Sequence, residues 1–249
     1  MSTEHPLGVD FGGSGIKGAP VDLDRGDFAT DRVRIETPQP STPQAVAEVL
    51  AELVGSFEGS GSPVGVTVPG VVRGGVVSTA ANIDSSWVGV DAAELFSHAT
   101  GRPVSAVNDA DAAGLAESRY GAARGQRGLV IVTTLGTGIG SALLLDGVLV
   151  PNSELGHIEI DGRVGEKWAA NSARESEELS WEEWAARLTT YYRTLERLLV
   201  PDLFVVGGGV SKHADKFLPM VDIPTPIIPA LLRNKAGIIG AALHATGSA

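Results

Sequence analysis

"LGVDFGGSGIKG", residues 7–18, decides how this chain is read. It packs five glycines into twelve positions, places an acid at Asp10 and a lysine seven residues later. Leu7 and Val9 are apolar and favour extended backbone, so Leu7–Asp10 reads as a short strand. Gly12, Gly13 and Gly15 then let the chain turn sharply and leave amide N–H groups uncovered by side chains. Such a turn suits a phosphate, with Lys17 as a point charge and Asp10 as a partner for a phosphate-bound metal. An ordinary glycine-rich hairpin is the competing reading of this stretch alone. The spacing is not that of a Walker loop, and no GxGxxG opens a helix here.

Composition narrows the field. A chain of 249 residues can form one large domain or two modest ones sharing a cleft. Its 43% hydrophobic and 20% charged residues are those of a globular protein. A formal charge of −11 argues against nucleic-acid or membrane partners attracted by overall charge, so a polyanion must be held by local cations and amides. With no cysteine, disulfides, thiolate metal sites and cysteine nucleophiles are excluded. No apolar run approaches ~20 residues, and "MSTEHP" lacks a basic start and a hydrophobic segment, so a cytoplasmic location is expected.

Strand-like and helix-like runs alternate, which predicts an α/β architecture. "STPQAVAEVLAELVGSF" offers Ser41 or Thr42 as N-cap, Pro43 in the first turn, and Val46, Val49, Leu50, Leu53 and Val54 on one face. A polar loop over 55–63 precedes the strand "VGVTV". "SWEEWAARLTTYYRTLERLLV" opens with a capping-box pattern, Ser180 with Glu183, and puts Trp184, Leu188, Tyr191, Leu195 and Leu198 on one side of a long helix. Its aromatics read as core or a dimer face rather than a ligand cage. The opening logic returns twice, in "LVIVTTLGTGIGSALL" (129–144) and in "LFVVGGGVSKHADKF" (203–217). Three glycine turns at strand ends predict a phosphate-handling crevice, the usual ligand position of open α/β sheets.

These stretches resemble a known family over nearly the whole chain. "DFGGSGIK" is similar to the DxGGTxxK phosphate signature of the ROK sugar kinases, and "VPGVV", "AAN", "VNDADAAGLAE", "TTLGTGIGSALL", "ELGH" and "VVGGGVS" follow in that family's order. "GGSGIKGAPVDL", "LLRNKAGIIGAA" and the lack of cysteine most resemble its polyphosphate glucokinase branch, which includes polyphosphate/ATP glucomannokinases. The resemblance implies the actin-like (ribonuclease H-like) ATPase fold and two α/β domains around a cleft. Residues 1–109, with the helix 236–249 returning to them, would form one domain and 110–235 the other. It also implies a homodimer, magnesium, and glucose as acceptor with polyphosphate, ATP or both as donor. Ser14 stands where many relatives have Thr, which keeps the hydroxyl. The family's cysteine-rich zinc segment is missing after "ELGH", so no zinc is expected and His157 can face the sugar.

Phosphorylating a hydroxyl needs a base, neutralised phosphate charge, and hydrogen bonds to the ring. By resemblance Asp109 is the base on the glucose 6-hydroxyl. Simple helix capping is the competing role for Asp109, and Asp111 is the competing carboxylate. The sugar would be bound by Gly70, Asn82, Asn108, Asp109, Glu154, His157 and Glu166, with Glu159 only a surface acid. Gly12, Gly13 and Ser14 would cradle the transferred phosphate, Lys17 would attract it, and Asp10 would hold magnesium directly or through water. Thr134, Gly136, Thr137 and Gly138 would grip the phosphates, while Gly207, Gly208, Gly209 and Lys212 would line the adenosine or distal-phosphate region. Lys17, Lys212, Arg233 and Lys235 are the cations expected near a polyphosphate. Two other functions compete: a kinase for another hexose, and a sugar-sensing regulator. The regulator would need a DNA-binding segment before residue 10 and suits net acidity poorly.

Overall fold

The computed structural model describes residues 5–57, 61–80 and 82–247; part of the polar loop expected over 55–63 and Ala81 of "AAN" lie outside them. Along the chain come β1 (Leu7–Gly12), β2 (Gly15–Asp22), β3 (Asp27–Phe28), β4 (Val33–Ile35), α1 (Pro43–Gly55) and β5 (Val64–Val68). A small hairpin, β6 (Val72–Arg73) and β7 (Val76–Val77), leads to α2 (Ala92–Thr100), β8 (Val104–Asn108) and α3 (Asp109–Tyr120). Then follow β9 (Leu129–Leu135), β10 (Ile139–Leu145), β11 (Val148–Val150), β12 (Glu159–Ile160), β13 (Arg163–Val164), α4 (Gly165–Ala169) and α5 (Asn171–Ser176). The chain closes with α6 (Trp181–Leu199), β14 (Leu203–Gly207), β15 (Ile227–Pro229) and α7 (Ala236–Ala245). Two compact units result: 1–116 with 235–249, and 117–234.

The first unit is built on a sheet of order β3-β2-β1-β5-β8, with β4 also paired to β2. β1, β5 and β8 are parallel neighbours, so Gly12, the Val68–Gly70 corner and Asn108 all fall at the same C-terminal edge. Such edges are where open α/β sheets carry their ligands. α1 starts at Thr42, whose hydroxyl accepts from Ala45 N–H (3.4 Å), while the other cap candidate, Ser41, accepts from Asp84 N–H (3.2 Å). Val46, Leu50, Leu53 and Val54 of α1 join Phe11, Val66, Trp87 and Phe96 in one core. α7 lies so close on the sheet that a Cβ on Gly8 or Gly65 would overlap the carbonyl oxygens of Ile238 and Ala241.

The opening turn departs from expectation in mechanism. β1 and β2 form a hairpin with Gly12 opposite Gly15 and only Gly13–Ser14 between them. None of Gly12, Gly13 and Gly15 adopts a left-handed backbone. Here glycine supplies room rather than a special φ: a Cβ on Gly15 would sit 2.7 Å from Arg34 Nε.

The second unit carries a sheet of order β11-β10-β9-β14-β15, in which β9 and β14 are parallel. Gly207 pairs with Thr134, so the second and third glycine turns are neighbours at one sheet edge. Gly208 is the residue here that must be glycine: its φ is +83° and a Cβ would overlap the backbone of Leu135. The capping box of α6 forms, with Glu183 N–H donating to Ser180 Oγ (3.2 Å) and Ser180 N–H to Glu183 Oε2 (2.8 Å). Trp184, Leu188, Tyr191, Tyr192 and Leu195 are fully buried with Phe204 and Phe217, which makes these aromatics core. Leu198 does not join them and stays 63% exposed, while Leu199 in the same turn packs against that core.

Candidate active site

In the first unit a row of polar side chains crosses the sheet just before the glycine turn. The strand registers set Arg34 opposite Lys17, Lys17 opposite Asp10, and Asp10 opposite Thr67. Lys17 Nζ lies 3.5 Å from Asp10 Oδ2, and Thr67 Oγ1 donates to Asp10 Oδ1 (3.2 Å). Asp10 is thus an acid with one cationic and one hydroxyl neighbour, partly open to solvent. Arg34 is a second cation beside the turn, and its guanidinium donates to Ser14 O (3.0 Å). No sequence motif marks Arg34; its register opposite Lys17 is what reveals it.

At the end of β8 the polar work is divided. Asn108 is buried, its Oδ1 accepts from the N–H groups of Ala110 (2.8 Å) and Asp111 (3.0 Å), and its Nδ2 donates to Gly70 O (3.0 Å). Asn108 therefore caps α3 and ties the β5 corner to β8, and its second amide hydrogen has no acceptor among the described residues. Asp109 follows in the first turn with an exposed side chain, its Oδ1 also taking Ala110 N–H (2.9 Å). Asp111 is only 2% exposed. Of the two acids, Asp109 is the one an external hydroxyl can reach. Gly70 is explained by the fold itself, since a Cβ there would overlap Thr79 O. Asn82 is exposed with φ +61°, an uncommon backbone that Asn tolerates well.

In the second unit the structure brings Glu154, His157 and Glu166 together. His157 Nε2 stands 3.9 Å from Glu166 Oε1, and Lys167 Nζ 3.2 Å from the same oxygen. Glu166 Oε2 accepts from Ile139 N–H (3.4 Å), which sets this carboxylate directly against the glycine turn 136–138. Burial pushes the Glu154 carboxyl above the usual range; His157 partly offsets this and Glu166 adds to it. Glu159 is exposed on β12. Gly136 N–H donates to Gly138 O (3.0 Å), closing the turn, with Thr137 exposed at its tip. Gly209 opens a 3-10 stretch, Gly209–Lys216, that carries Lys212 on its exposed side. Lys235, in the first unit, is already engaged with Asp27 at 2.7 Å. Among the described residues no group of three or more His, Asp or Glu is placed to hold a metal ion.

The first unit thus holds an exposed acid and a glycine turn at one sheet edge, and the second unit, taken by itself, holds clustered acids and two further glycine turns. The ROK family matches residues 6–173. The chain belongs to the ROK family. Polyphosphate glucokinase of Mycobacterium tuberculosis (strain ATCC 25618 / H37Rv) is 50% identical over 240 residues, 96% of this chain and 90% of the relative. The crystal structure of inorganic polyphosphate/ATP-glucomannokinase from Arthrobacter sp. strain KM matches with TM-score 0.95 and 51% identity, covering 99% of this chain and 100% of that one. A ROK family glucokinase from Streptomyces griseus, solved with glucose and AMPPNP, shares the fold at TM-score 0.82 and 24% identity, with coverage of 97% and 99%. The actin-like fold expected from the ROK resemblance is the fold of this chain.

Proposed function

We propose that this ROK protein transfers a phosphoryl group from inorganic polyphosphate or ATP to the 6-hydroxyl of glucose. The polyphosphate glucokinase and glucomannokinase relatives, at about half identity over nearly the full chain, support the reaction class. The single observation that carries the chemistry is at the start of α3. Asn108 does the capping, Asp111 is buried, and Asp109 presents an exposed carboxylate at the same C-terminal sheet edge as the glycine turn. Asp109 takes the proton of the attacking hydroxyl as its oxygen bonds to phosphorus and the donor's bridging P–O bond breaks, releasing the shortened polyphosphate or ADP. The amides of Gly12, Gly13 and Ser14 hold the transferred group, and Lys17 compensates its charge.

Glu154, His157 and Glu166 bind the sugar, because carboxylates accept well from vicinal hydroxyls; Asn82, Asn108 and Gly70 complete the contacts. Thr134, Gly136, Thr137 and Gly138 take the donor phosphates, with Gly207, Gly208, Gly209 and Lys212 beyond them. Magnesium characteristically keeps water and substrate phosphates and one or two carboxylates, and Asp10, a single partly exposed acid, fits that set. When bound it supplies charge neutralisation to the phosphates. Mannose, which differs at the 2-hydroxyl, is a weaker acceptor. A cytoplasmic homodimer, with the two-domain division expected from the resemblance, completes the reading.

Asp109→Asn tests the base. Turnover should fall by about 10²–10⁴-fold while glucose affinity and thermal stability stay near wild type. Near-native turnover in that variant would remove Asp109 from the role and pass it to Asp111.

A further inference from the structure

The first two glycine turns are held from behind in the same way. In the first unit, Gly12 O accepts from Thr37 Oγ1 (2.5 Å), Gly13 O from Gln39 Nε2 (3.4 Å) and Ser14 O from Arg34 (3.0 Å). All three donors come from one six-residue segment, 34–39. In the second unit, Gly136 O accepts from the Ser172 N–H (3.1 Å) and Thr137 O from Ser172 Oγ (2.6 Å). One residue of α5 takes both carbonyls.

A trans peptide is planar, and its N–H points opposite to its C=O. Holding the carbonyls of Gly12 and Gly13 toward segment 34–39 turns the N–H groups of Gly13 and Ser14 the other way. Holding those of Gly136 and Thr137 toward Ser172 does the same for Thr137 and Gly138. None of these four amides donates to an acceptor among the described residues. Amides aimed together in this manner make an anion-binding concavity.

We propose that Thr37 and Ser172 are positioning residues for phosphoryl transfer, each fixing the peptide planes of one glycine turn so that its amides face the donor phosphates. Arg34 and Gln39 complete the clamp on the first turn. The inference rests on the phosphoryl-transfer reading above. Neither hydroxyl touches substrate; each acts through the backbone it holds. Preorganised amides matter because they need no reorientation as charge develops. A small misplacement of such groups is costly, up to about 10²-fold for an ångström.

The test uses Thr37→Val, Ser172→Ala and Thr37→Ser in the full chain. Thr37 is 6% exposed, and valine keeps its shape while removing the donor. Three quantities are measured: turnover with ATP and with polyphosphate, calorimetric binding of tripolyphosphate and of glucose, and thermal unfolding. Thr37→Val and Ser172→Ala should each lower turnover about 10–100-fold. Each should also weaken tripolyphosphate binding several-fold and leave glucose affinity within about 2-fold. Thr37→Ser should restore most of both losses. Unchanged turnover and tripolyphosphate binding in both variants would overturn the inference. So would a Thr37→Ser as impaired as Thr37→Val, or a parallel collapse of glucose affinity and unfolding temperature. If wild type forms no glucose 6-phosphate, the kinase reading fails, and the tripolyphosphate titration still decides the clamp.

Discussion

Glu154 gives the proposed sugar site a test at the scale of one residue. Burial holds its carboxyl above the ordinary range, so it ionises late as pH rises. In the sugar-binding role proposed for Glu154, hydroxyls of glucose would donate to the carboxylate and favour the charged form, so binding would release a proton. Glucose affinity should therefore rise with pH through a window above the ordinary glutamate range, then level off once Glu154 is ionised. Without ligand the sign reverses: a raised carboxyl pKa costs stability as pH climbs through it. Glu154→Gln should flatten the affinity profile and leave the empty protein no less stable at neutral pH. Calorimetric titration across that window checks this; a flat wild-type profile contradicts it. At this scale the sequence exposed the candidate site side chains and the glycine turns, but not the side chains that bond to the carbonyls of those turns. Asp109, Glu154 and His157 sit inside recognisable runs. Thr37, Arg34 and Ser172 donate to carbonyls of distant residues, and no local spacing encodes a partner 20 to 35 positions away.

Helices and strands here are placed by contacts of very different legibility. α6 was readable from its periodicity and its Ser180/Glu183 box, because both signals are local. The seating of α7 was not: it depends on Gly8 and Gly65 having no side chain where Ile238 and Ala241 approach. Gly65→Ala should destabilise the first unit by about 1–3 kcal/mol or more, the usual cost of overpacking, in chemical unfolding. An alanine variant as stable as wild type would mean that α7 seats elsewhere. The two tyrosines of α6 make a paired prediction. Tyr192 shares a hydrogen bond with Thr133 (2.7 Å), whereas Tyr191 Oη finds no partner among the described residues. Tyr192→Phe should cost about 1 kcal/mol, and Tyr191→Phe should be neutral or stabilising. The reverse order would show the burial of these hydroxyls to be misread. The "GxG" spacing of the opening stretch misleads at this scale only if a helix is assumed to follow; β2 follows, and the turn is a hairpin.

For the whole molecule the charge balance sets the terms of donor use. Thirty acidic against nineteen basic residues repel a polyanion at long range, so attraction must be local. Lys17 and Arg34 flank the first glycine turn, and Lys212 follows the third. Lys235 is committed to Asp27, whose carboxyl that hydrogen bond holds below the usual range, so Arg233 is the cleaner cation to remove. With a Debye length of ~8 Å at physiological salt, polyphosphate use should fall with added salt more steeply than ATP use. Arg233→Gln should raise the Michaelis constant for polyphosphate more than that for ATP; equal effects would place Arg233 outside a polyphosphate path. The α/β class was legible in the alternation of strand-like and helix-like runs, whereas the expectation of two domains came from the ROK resemblance. The pairing order of the strands was not, since register is set by contacts across 50 residues or more, as between Asp10 and Thr67. The most direct measurement is the initial rate of glucose 6-phosphate formation by the purified chain with magnesium, supplied in parallel with polyphosphate and with ATP. Product should form with polyphosphate at a rate at least equal to that with ATP. No product with either donor would contradict the proposed reaction.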